Sequence, residues 1–210
     1  MDVDDKQELF DGWAASYDGD VDGQTGFPFE GYDRVLARVI DLAGPRPGVT
    51  LLELGPGTGN LTAQLLARGA DVWAVDFAAE MLARARAKAP AAHFAQAHLL
   101  AAYPADFRRP YDAIVATYVF HELPAADKLR LLRRLADDYL RPGGVIAIGD
   151  VGFADTAARD AVRAAAGDDW DDEFFWIMSE DGPALAAAGF AVEVEQLSVC
   201  GLALAIRPAT

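Results

Sequence analysis

The sequence predicts an α/β fold of the Rossmann-like, doubly wound kind: a seven-stranded, mostly parallel sheet with one antiparallel strand in a C-terminal hairpin. From Val49 onward, short apolar runs alternate with longer amphipathic ones, which is typical of parallel strands joined by crossover helices. Near the end of the chain, two apolar runs between Phe190 and Ile206 lie too close together for a helical crossover. Those two strands must therefore pair antiparallel.

Two helices are predicted before the first strand, over residues 5 to 17 and 30 to 43, separated by a Gly/Asp-rich stretch from Asp18 to Gly26. The first helix has one apolar side, formed by Leu9, Phe10, Trp13 and Tyr17.

The predicted strands are 49 to 54, 71 to 75, 93 to 98, 112 to 118, 144 to 150, 191 to 199 and 202 to 207. Three of the segments between the first five strands have helical periodicity with one apolar face each. Those faces are formed by Leu61, Leu65 and Leu66, by Met81, Leu82 and Ala85, and by Leu129, Leu132, Leu135, Ala136 and Tyr139. Strong turn signals stand at residues 44 to 48 and 142 to 144.

The net charge of the chain limits the classes of partner that it can bind. Eighteen basic residues against 33 acidic ones give a formal net charge of -15, which repels phosphate backbones and anionic membranes. We therefore expect neither a nucleic acid nor a membrane as a partner, and the sign of the charge favours cationic small molecules. Much of this charge also serves solubility.

Cysteine usage and the start of the chain favour a cytoplasmic location. Cys200 is the only cysteine, so an internal disulfide and a cysteine-based metal cluster are both excluded. Residues 1 to 5 are acidic where a secretory signal needs basic residues, and no apolar stretch is long enough to span a membrane. We expect no bound metal.

A glycine loop follows the first predicted strand. The chain passes from that strand into Gly55-Pro56-Gly57-Thr58-Gly59, after which Asn60 begins a helix. In this strand-loop-helix setting, glycines allow a ligand to lie against bare backbone. The next strand ends at Asp76, whose carboxylate could accept hydrogen bonds from ribose hydroxyls or could instead cap the helix that follows. Loop and acid together favour a nucleoside site.

The residues around the loop indicate which class of nucleoside-containing ligand the site would bind. A dinucleotide fingerprint needs glycine at position 60, which is Asn60, and no Gly-Lys-Ser/Thr follows the loop. Glu53, just before the loop, would repel a pyrophosphate but suits a ligand that carries an ammonium group. These observations disfavour a nicotinamide-dependent oxidoreductase, which nevertheless remains an alternative.

Four motifs together resemble the class I S-adenosylmethionine (SAM)-dependent methyltransferases: Glu53 to Gly59, Asp76, the run from Tyr111 to Leu123, and Leu140-Arg-Pro-Gly-Gly144. The likeness covers about residues 8 to 207. It is strongest to the branch that acts on small molecules, which often begins with the Phe-x-x-Trp-Ala-x-x-Tyr-Asp stretch found here at residues 10 to 18.

The resemblance implies that Gly55 and Gly57 contact the methionine end of SAM, that Asp76 binds the ribose and that Phe77 or Met81 flanks the adenine. The family usually has an acid after the third strand that accepts a hydrogen bond from the adenine amino group. Here that position is His98, followed by Leu99, and a neutral imidazole could accept the bond through one nitrogen. The cofactor residues predicted in this way are Tyr17, Glu53, Gly55, Gly57, Gly59, Asp76, Phe77, Met81, His98, Leu99 and Tyr118.

The methyl acceptor is expected at the carboxyl ends of the fourth and fifth strands. His121 is the candidate general base, and Glu122 or Tyr17 could orient the acceptor, although His121 could equally be a structural residue. The aromatic and acidic residues from Asp168 to Met178 are predicted to cover the acceptor pocket and to suit an amine or another cation. Phe27 and Phe29 could complete a lid, while Phe175 and Ile177 are expected to be core.

A single methyltransferase domain is expected over 1–210: N-terminal helices and lid (1–44), a cofactor-binding half (45–152), and an acceptor-pocket insertion with the hairpin (153–210). The expected activity is SAM-dependent methyl transfer to a small-molecule acceptor by a monomer or homodimer. A non-catalytic SAM-binding protein remains the alternative, because His98 replaces the usual acid.

Overall fold

A mostly parallel sheet forms the centre of the protein, of which the computed structural model describes residues 3–21 and 26–209. In chain order, its strands are β1 (Thr50–Leu54), β2 (Asp71–Asp76), β3 (His93–Gln96), β4 (Tyr111–Thr117), β5 (Leu140–Phe153), β6 (Trp176–Ile177), β7 (Phe190–Gln196) and β8 (Gly201–Pro208). The strand order in space is β3-β2-β1-β4-β5-β8-β7. The order reverses between β1 and β4, which is the position where open α/β sheets bind ligands.

The C-terminal hairpin is antiparallel, as predicted. Strand β8 pairs antiparallel with both β5 and β7, whereas β1, β2, β3, β4 and β5 pair in parallel. The predicted doubly wound sheet with one reversed strand is confirmed. Strand β6, which the sequence did not predict, adds two residues beside Gly152 and Phe153.

Helices cover both faces of the sheet. They are α1 (Val3–Trp13), α2 (Tyr17–Val21), α3 (Tyr32–Ala43), α4 (Asn60–Ala67), α5 (Ala79–Lys88), α6 (Ala125–Asp138), α7 (Thr156–Ala166) and α8 (Met178–Ala187). Leu51 in β1 packs with α3 and α4 in one core cluster, whereas its neighbours Leu52 and Leu54 pack with α6 and α8 in another. This alternation follows from the two-residue side-chain period of a strand.

The N-terminal helix is shorter than predicted. The sequence suggested one helix over 5 to 17, but α1 ends at Trp13 and α2 begins at Tyr17. The carbonyl of Ser16 accepts hydrogen bonds from the N–H groups of Gly19 and Asp20, which starts a new helical turn. The apolar spacing alone did not reveal this break. Residues 22–25 of the predicted Gly/Asp-rich linker lie outside the described residues.

Strand β5 is longer than the predicted 144 to 150. It begins at Leu140, which pairs with Tyr111, and the register then shifts so that Ala113 pairs with Val145. The predicted turn signal at Pro142 to Gly144 therefore produces an irregularity inside the strand rather than its start. At the other end, pairing with β6 extends β5 to Phe153. Within the described ranges, every helix is too short or too polar to cross a lipid bilayer.

Candidate functional site

A cavity of about 320 Å³ lies at the carboxyl ends of β1, β2 and β4, where the strand order reverses. Of the predicted site residues, ten line it: Tyr17, Gly55, Gly57, Asp76, Phe77, Met81, His98, Leu99, Tyr118 and Glu122. Three do not: Glu53, Gly59 and His121. Further lining residues, for which no role was predicted from the sequence, include Lys6, Tyr32, Val119 and Asp127.

The glycine loop has positive φ at each of its three glycines, and the surroundings of each are different. A Cβ on Gly55 would lie 2.4 Å from Cγ2 of Val119, which follows β4. A Cβ on Gly57 would meet no protein atom within 4 Å, although Gly57 lines the cavity. Gly57 therefore leaves bare backbone open to a ligand.

Gly59 packs against a neighbouring helix rather than facing the cavity. Its φ is +89°, and a Cβ there would lie 3.0 Å from the Cα of Ala85 in α5. The absence of a side chain allows the start of α4 to approach α5 closely. The structure thus places Gly59, predicted to bind the cofactor, at a helix-helix contact behind the cavity.

Asp76 makes two hydrogen bonds to the backbone. Its Oδ2 accepts from the N–H of Gly57 and its Oδ1 from the N–H of Ala78, both at 3.0 Å. The carboxylate therefore orders the glycine loop and the start of α5, and each oxygen keeps a further lone pair for a ligand. Burial raises the pKa of Asp76, and these backbone bonds partly offset that effect.

Glu53 lies fully buried beneath the loop. Its Oε2 accepts a hydrogen bond from the hydroxyl of Thr62 at 2.7 Å, while its Oε1 is buried without a hydrogen-bond partner among the described residues. Burial raises the pKa of Glu53 to about 8. A buried carboxyl group with a free oxygen, next to an open loop at Gly57, fits the ammonium-bearing methionine end of SAM.

Phe77, Met81, His98 and Leu99 line the same cavity as Asp76. The ring of Phe77 packs edge-on against His98, with centroids 6.1 Å apart, and against Phe10 of α1 at 5.6 Å. Nδ1 of His98 accepts a hydrogen bond from the backbone N–H of Leu100 at 3.2 Å. The structure thus places the four residues predicted for the adenine end of the cofactor in the lining of one cavity.

Helices α1 and α2 close the cavity from above through Lys6, Phe10 and Tyr17. Lys6 forms a salt bridge with Glu122, which follows β4 on the opposite side of the cavity. Burial raises the pKa of Tyr17 well above its usual value. The N-terminal helices therefore act as the roof of the site.

A polar network that sequence reasoning missed holds the roof to the glycine loop. Asp18 accepts hydrogen bonds from Thr58 Oγ1 at 2.5 Å and Asn60 Nδ2 at 3.2 Å, and it pairs with Lys88 at 2.6 Å. The pairing with Lys88 and these hydrogen bonds outweigh burial and lower the pKa of Asp18. The participants are 40 to 70 residues apart in sequence, so no local pattern marks them.

Tyr118 occupies a strained position at the end of β4. It has φ of +54°, which is uncommon for a residue other than glycine. Its ring stacks on Tyr32 with centroids 5.4 Å apart, and its hydroxyl is buried without a partner among the described residues. Strain of this kind is found often at functional sites.

His121 pairs with Asp150, which the sequence analysis placed only as the end of the fifth strand. His121 Nδ1 lies 2.5 Å from Asp150 Oδ1, and the backbone N–H of His121 donates to Asp150 Oδ2 at 2.9 Å. Burial alone lowers the pKa of His121, but Asp150, aided by Glu173 and Glu122, outweighs it and raises the pKa to about 9. The surrounding carboxylates therefore favour the imidazolium form of the ring, in which no lone pair is available to a general base.

Two further carboxylates face the other side of this ring. His121 Nε2 lies 3.8 Å from Glu122 and 3.6 Å from Glu173. Nitrogen and carboxylate oxygens of these three residues come within 4.8 Å of one another, a spacing that could hold a metal ion. The imidazolium already supplies a positive charge to this cluster. Burial raises the pKa of Glu173 to about 7, although His121 opposes that shift.

The predicted insertion is tied to the same cluster. The N–H of Phe174 donates to the carbonyl of His121 at 2.9 Å, and Trp176 Nε1 donates to Asp150 Oδ2 at 3.1 Å. Lys128, buried on α6, donates to the carbonyl of Phe174 and lies 4.1 Å from the centroid of Trp176. Phe175 and Ile177 are buried in the core, as expected.

The aromatic residues of the predicted lid pack against the insertion and the roof. Phe27 stacks on Trp170 with centroids 4.7 Å apart and packs edge-on against Phe175. Phe29 packs against Tyr118 and Tyr17.

Comparison with known proteins gives consistent results. Residues 52–146 match the family model described as a methyltransferase domain. The chain is 34% identical over 200 residues to an uncharacterized methyltransferase of Geobacillus kaustophilus, covering 90% of both chains. It is 30% identical over 203 residues to another of Oceanobacillus iheyensis, covering 91% of this chain and 92% of that one.

Solved structures share the fold at lower identity. A magnesium protoporphyrin IX methyltransferase from Synechocystis with bound SAH superposes with a TM-score of 0.76 at 18% identity, covering 98% of this chain and 100% of that one. A DhpI–SAM–HEP complex gives the same TM-score at 22% identity, covering 98% and 97%. With the glycine loop, Asp76 and the cavity they line, these similarities establish that the chain belongs to the class I SAM-dependent methyltransferases.

Proposed function

We propose that this enzyme transfers the methyl group of SAM to a small-molecule acceptor, with an amine or another cationic compound as the preferred class. The observation that carries the proposal is the small volume of the cavity and its cover by the N-terminal helices. Its volume of about 320 Å³ lies between the glycine loop and the roof formed by α1 and α2. Such a volume falls at the low end of small-ligand pockets, which measure about 300 to 1,000 Å³. A covered cavity of this size supports a small acceptor over a macromolecular chain.

The charges around the cavity support a cationic acceptor. Glu122, which follows β4, and Asp127, in the first turn of α6, line it, and Glu173 lies 3.6 Å from His121. Lys6, which pairs with Glu122, is the one lysine among the described residues that line the cavity. Carboxylates beside aromatic rings such as Tyr17 and Tyr118 attract an amine through charge pairing and cation-π contact.

The chain's own residues have separate proposed roles. Gly55, Gly57 and Asp76 hold the cofactor, and Glu53, buried beneath the loop outside the cavity lining, is the nearby acid that favours the ammonium group of the cofactor. SAM supplies an activated methyl group when bound, so the protein contributes mainly position and orientation, worth about 7 to 11 kcal/mol in well-aligned reactions. Tyr17 orients the acceptor from the roof.

The proposed role of His121 changes from the one expected from the sequence. As an imidazolium held by Asp150, it is a positioning residue that fixes Glu122 and Glu173, rather than a general base. Glu122 lines the cavity and is the group that would take a proton from a protonated amine or hold its charge.

The test is a screen for SAH formation with SAM and a panel of small amines, phenols, thiols and carboxylic acids, together with bulk protein and nucleic acid. We expect turnover with small molecules, and highest kcat/KM with amines. The variant Glu122→Gln should lower kcat/KM for amines about 10-fold or more, while SAH affinity stays within about 2-fold. Glu180→Gln, an exposed acid on α8, is the matched control. Turnover confined to protein or nucleic acid would refute the proposed acceptor class.

Asp76 is tested separately through binding. Replacement by alanine should weaken SAH binding by about 1.5 to 3 kcal/mol, as for a hydrogen bond to a charged group. Calorimetric titration measures this, with Asp71→Ala at the other end of β2 as the control. An unchanged affinity would remove Asp76 from the cofactor site.

A further inference from the structure

His98 lines the same cavity as the glycine loop and Asp76. In the proposed function the loop and Asp76 hold the methionine and ribose parts of the cofactor, which leaves Phe77, Met81 and His98 to surround the nucleobase. The His98 ring is partly buried and packs against Phe77. A role for His98 toward the nucleobase rests on the cofactor part of the proposed function and does not depend on which acceptor is methylated.

A backbone contact fixes where the proton of the His98 ring lies. The N–H of Leu100 points at Nδ1 of His98 at 3.2 Å. A backbone N–H can only donate, so Nδ1 must carry a lone pair. Burial and the positive charges of Lys6 and Arg134 lower the pKa of His98, which keeps the ring neutral. A neutral imidazole without a proton on Nδ1 carries it on Nε2.

The free edge of this ring is therefore a hydrogen-bond donor. Among the described residues, none makes a hydrogen bond with Nε2 of His98. The exocyclic amino group of adenine is itself a donor, whereas the ring nitrogens N1, N3 and N7 are acceptors. Two N–H groups facing each other leave both unsatisfied, which is costly in a partly buried site.

We infer that His98 donates a hydrogen bond from Nε2 to a ring nitrogen of the adenine, and that it accepts none from the amino group. His98 is thus a specificity-determining residue that reverses the direction of the hydrogen bond expected from an acid at this position. The hydrogen bond from His98 should therefore persist when the purine amino group is removed. It should be lost when the contacted ring nitrogen is replaced by carbon.

Calorimetric titration with SAH analogues tests this inference in the absence of any acceptor. The probes are SAH, its 6-deamino analogue and its 1-deaza, 3-deaza and 7-deaza analogues, titrated into the wild type and His98→Ala. We expect SAH to bind His98→Ala about 3- to 10-fold more weakly than the wild type. One of the deaza analogues should bind the wild type more weakly than SAH does, by a similar factor. The same analogue should bind His98→Ala as tightly as SAH does. The factor lost by removing the amino group should be the same in both proteins.

Two further variants keep the test independent of folding. His98→Asp retains an acceptor for the N–H of Leu100 but replaces the donor edge, so its SAH affinity should become sensitive to the amino group. His93→Ala removes an exposed histidine of β3 and should bind every analogue like the wild type.

Two results would overturn the inference. One is a penalty for the 6-deamino analogue that disappears in His98→Ala, which means that His98 accepts from the amino group. The other is the absence of any deaza analogue coupled to His98, which means that the ring does not contact the base. Failure of SAH itself to bind the wild type would instead overturn the cofactor part of the proposed function.

Discussion

Gly57 and Gly59 stand two positions apart with similar backbone conformations, yet they have opposite surroundings. Gly57 faces open cavity, and Gly59 faces the backbone of α5. Gly57→Ala should cost about 1 kcal/mol of stability, from its positive φ, and weaken SAH binding about 10-fold or more because the methyl enters the cofactor's space.

Gly59→Ala should instead destabilise the fold by about 2 to 3 kcal/mol, because the new methyl collides with Ala85. Chemical denaturation and calorimetric titration of the two variants separate these effects. Equal loss of SAH affinity in both, at equal stability, would contradict the division of roles.

His121 should make the stability of the protein depend on pH. Its pKa in the folded protein is raised to about 9, above the value of about 6.5 expected in the unfolded chain. A raised pKa gives stability that is fully present below pH 6.5 and is lost as pH rises through 9.

His121→Gln should therefore lower the free energy of unfolding by about 3 kcal/mol at pH 6, and by much less at pH 10. Urea denaturation at the two pH values measures the difference. His93→Gln, at an exposed site, should show no such trend. A pH-independent loss in His121→Gln would show that its role is packing rather than charge.

At the scale of elements, the roof formed by α1 and α2 controls access to the cavity. It is fastened at one side by the salt bridge between Lys6 and Glu122, and at the other by Asp18 with Thr58 and Lys88. Asp11 adds a hydrogen bond from the N–H of Glu80 at the start of α5. These fastenings are polar and partly exposed, so each is individually weak and suited to opening.

Lys6→Met keeps the length of the side chain but removes its charge. Both the association and dissociation rates of SAH should rise about 2- to 5-fold, because one fastening of the roof is lost. Stopped-flow fluorescence measures the rates, and Arg207→Met, which breaks a salt bridge with Glu193 in the hairpin, is the control. Slower rates in Lys6→Met would contradict a gating role for the roof.

For the whole molecule, the net charge of -15 dominates long-range electrostatics. Mutual repulsion among acids disfavours the compact state, and salt screens exposed charges beyond about 10 Å at 0.1 M. The melting temperature should therefore rise by several degrees between 20 mM and about 500 mM NaCl. This rise corresponds to a gain on the order of one to two kcal/mol in the free energy of unfolding. Equal effects of NaCl and KCl would exclude a specific ion. A fall in the melting temperature would mean that salt bridges outweigh the repulsion.

Much of the fold was predictable because its signals are local. The two-residue and 3.6-residue periods located the strands and most helices, and the short connection before β8 required an antiparallel pair. The strand-loop-helix around Gly57, followed by Asp76, likewise predicted a cofactor site, and the structure brings these residues together at one cavity. The break between α1 and α2 and the two-residue β6 were missed, since their periodicity does not differ from that of the neighbouring segments.

The sequence by itself determined the sheet, the glycine loop and the place of Asp76 at the end of the second strand, because each is encoded within a few consecutive residues. Only the tertiary structure decided the state of the histidines. His121 is charged because Asp150, 29 residues away, lies against it, and His98 is a donor because Leu100 folds back onto its ring. Protonation depends on which groups lie within a few ångströms in space, and that distance is set by the packing of the whole chain.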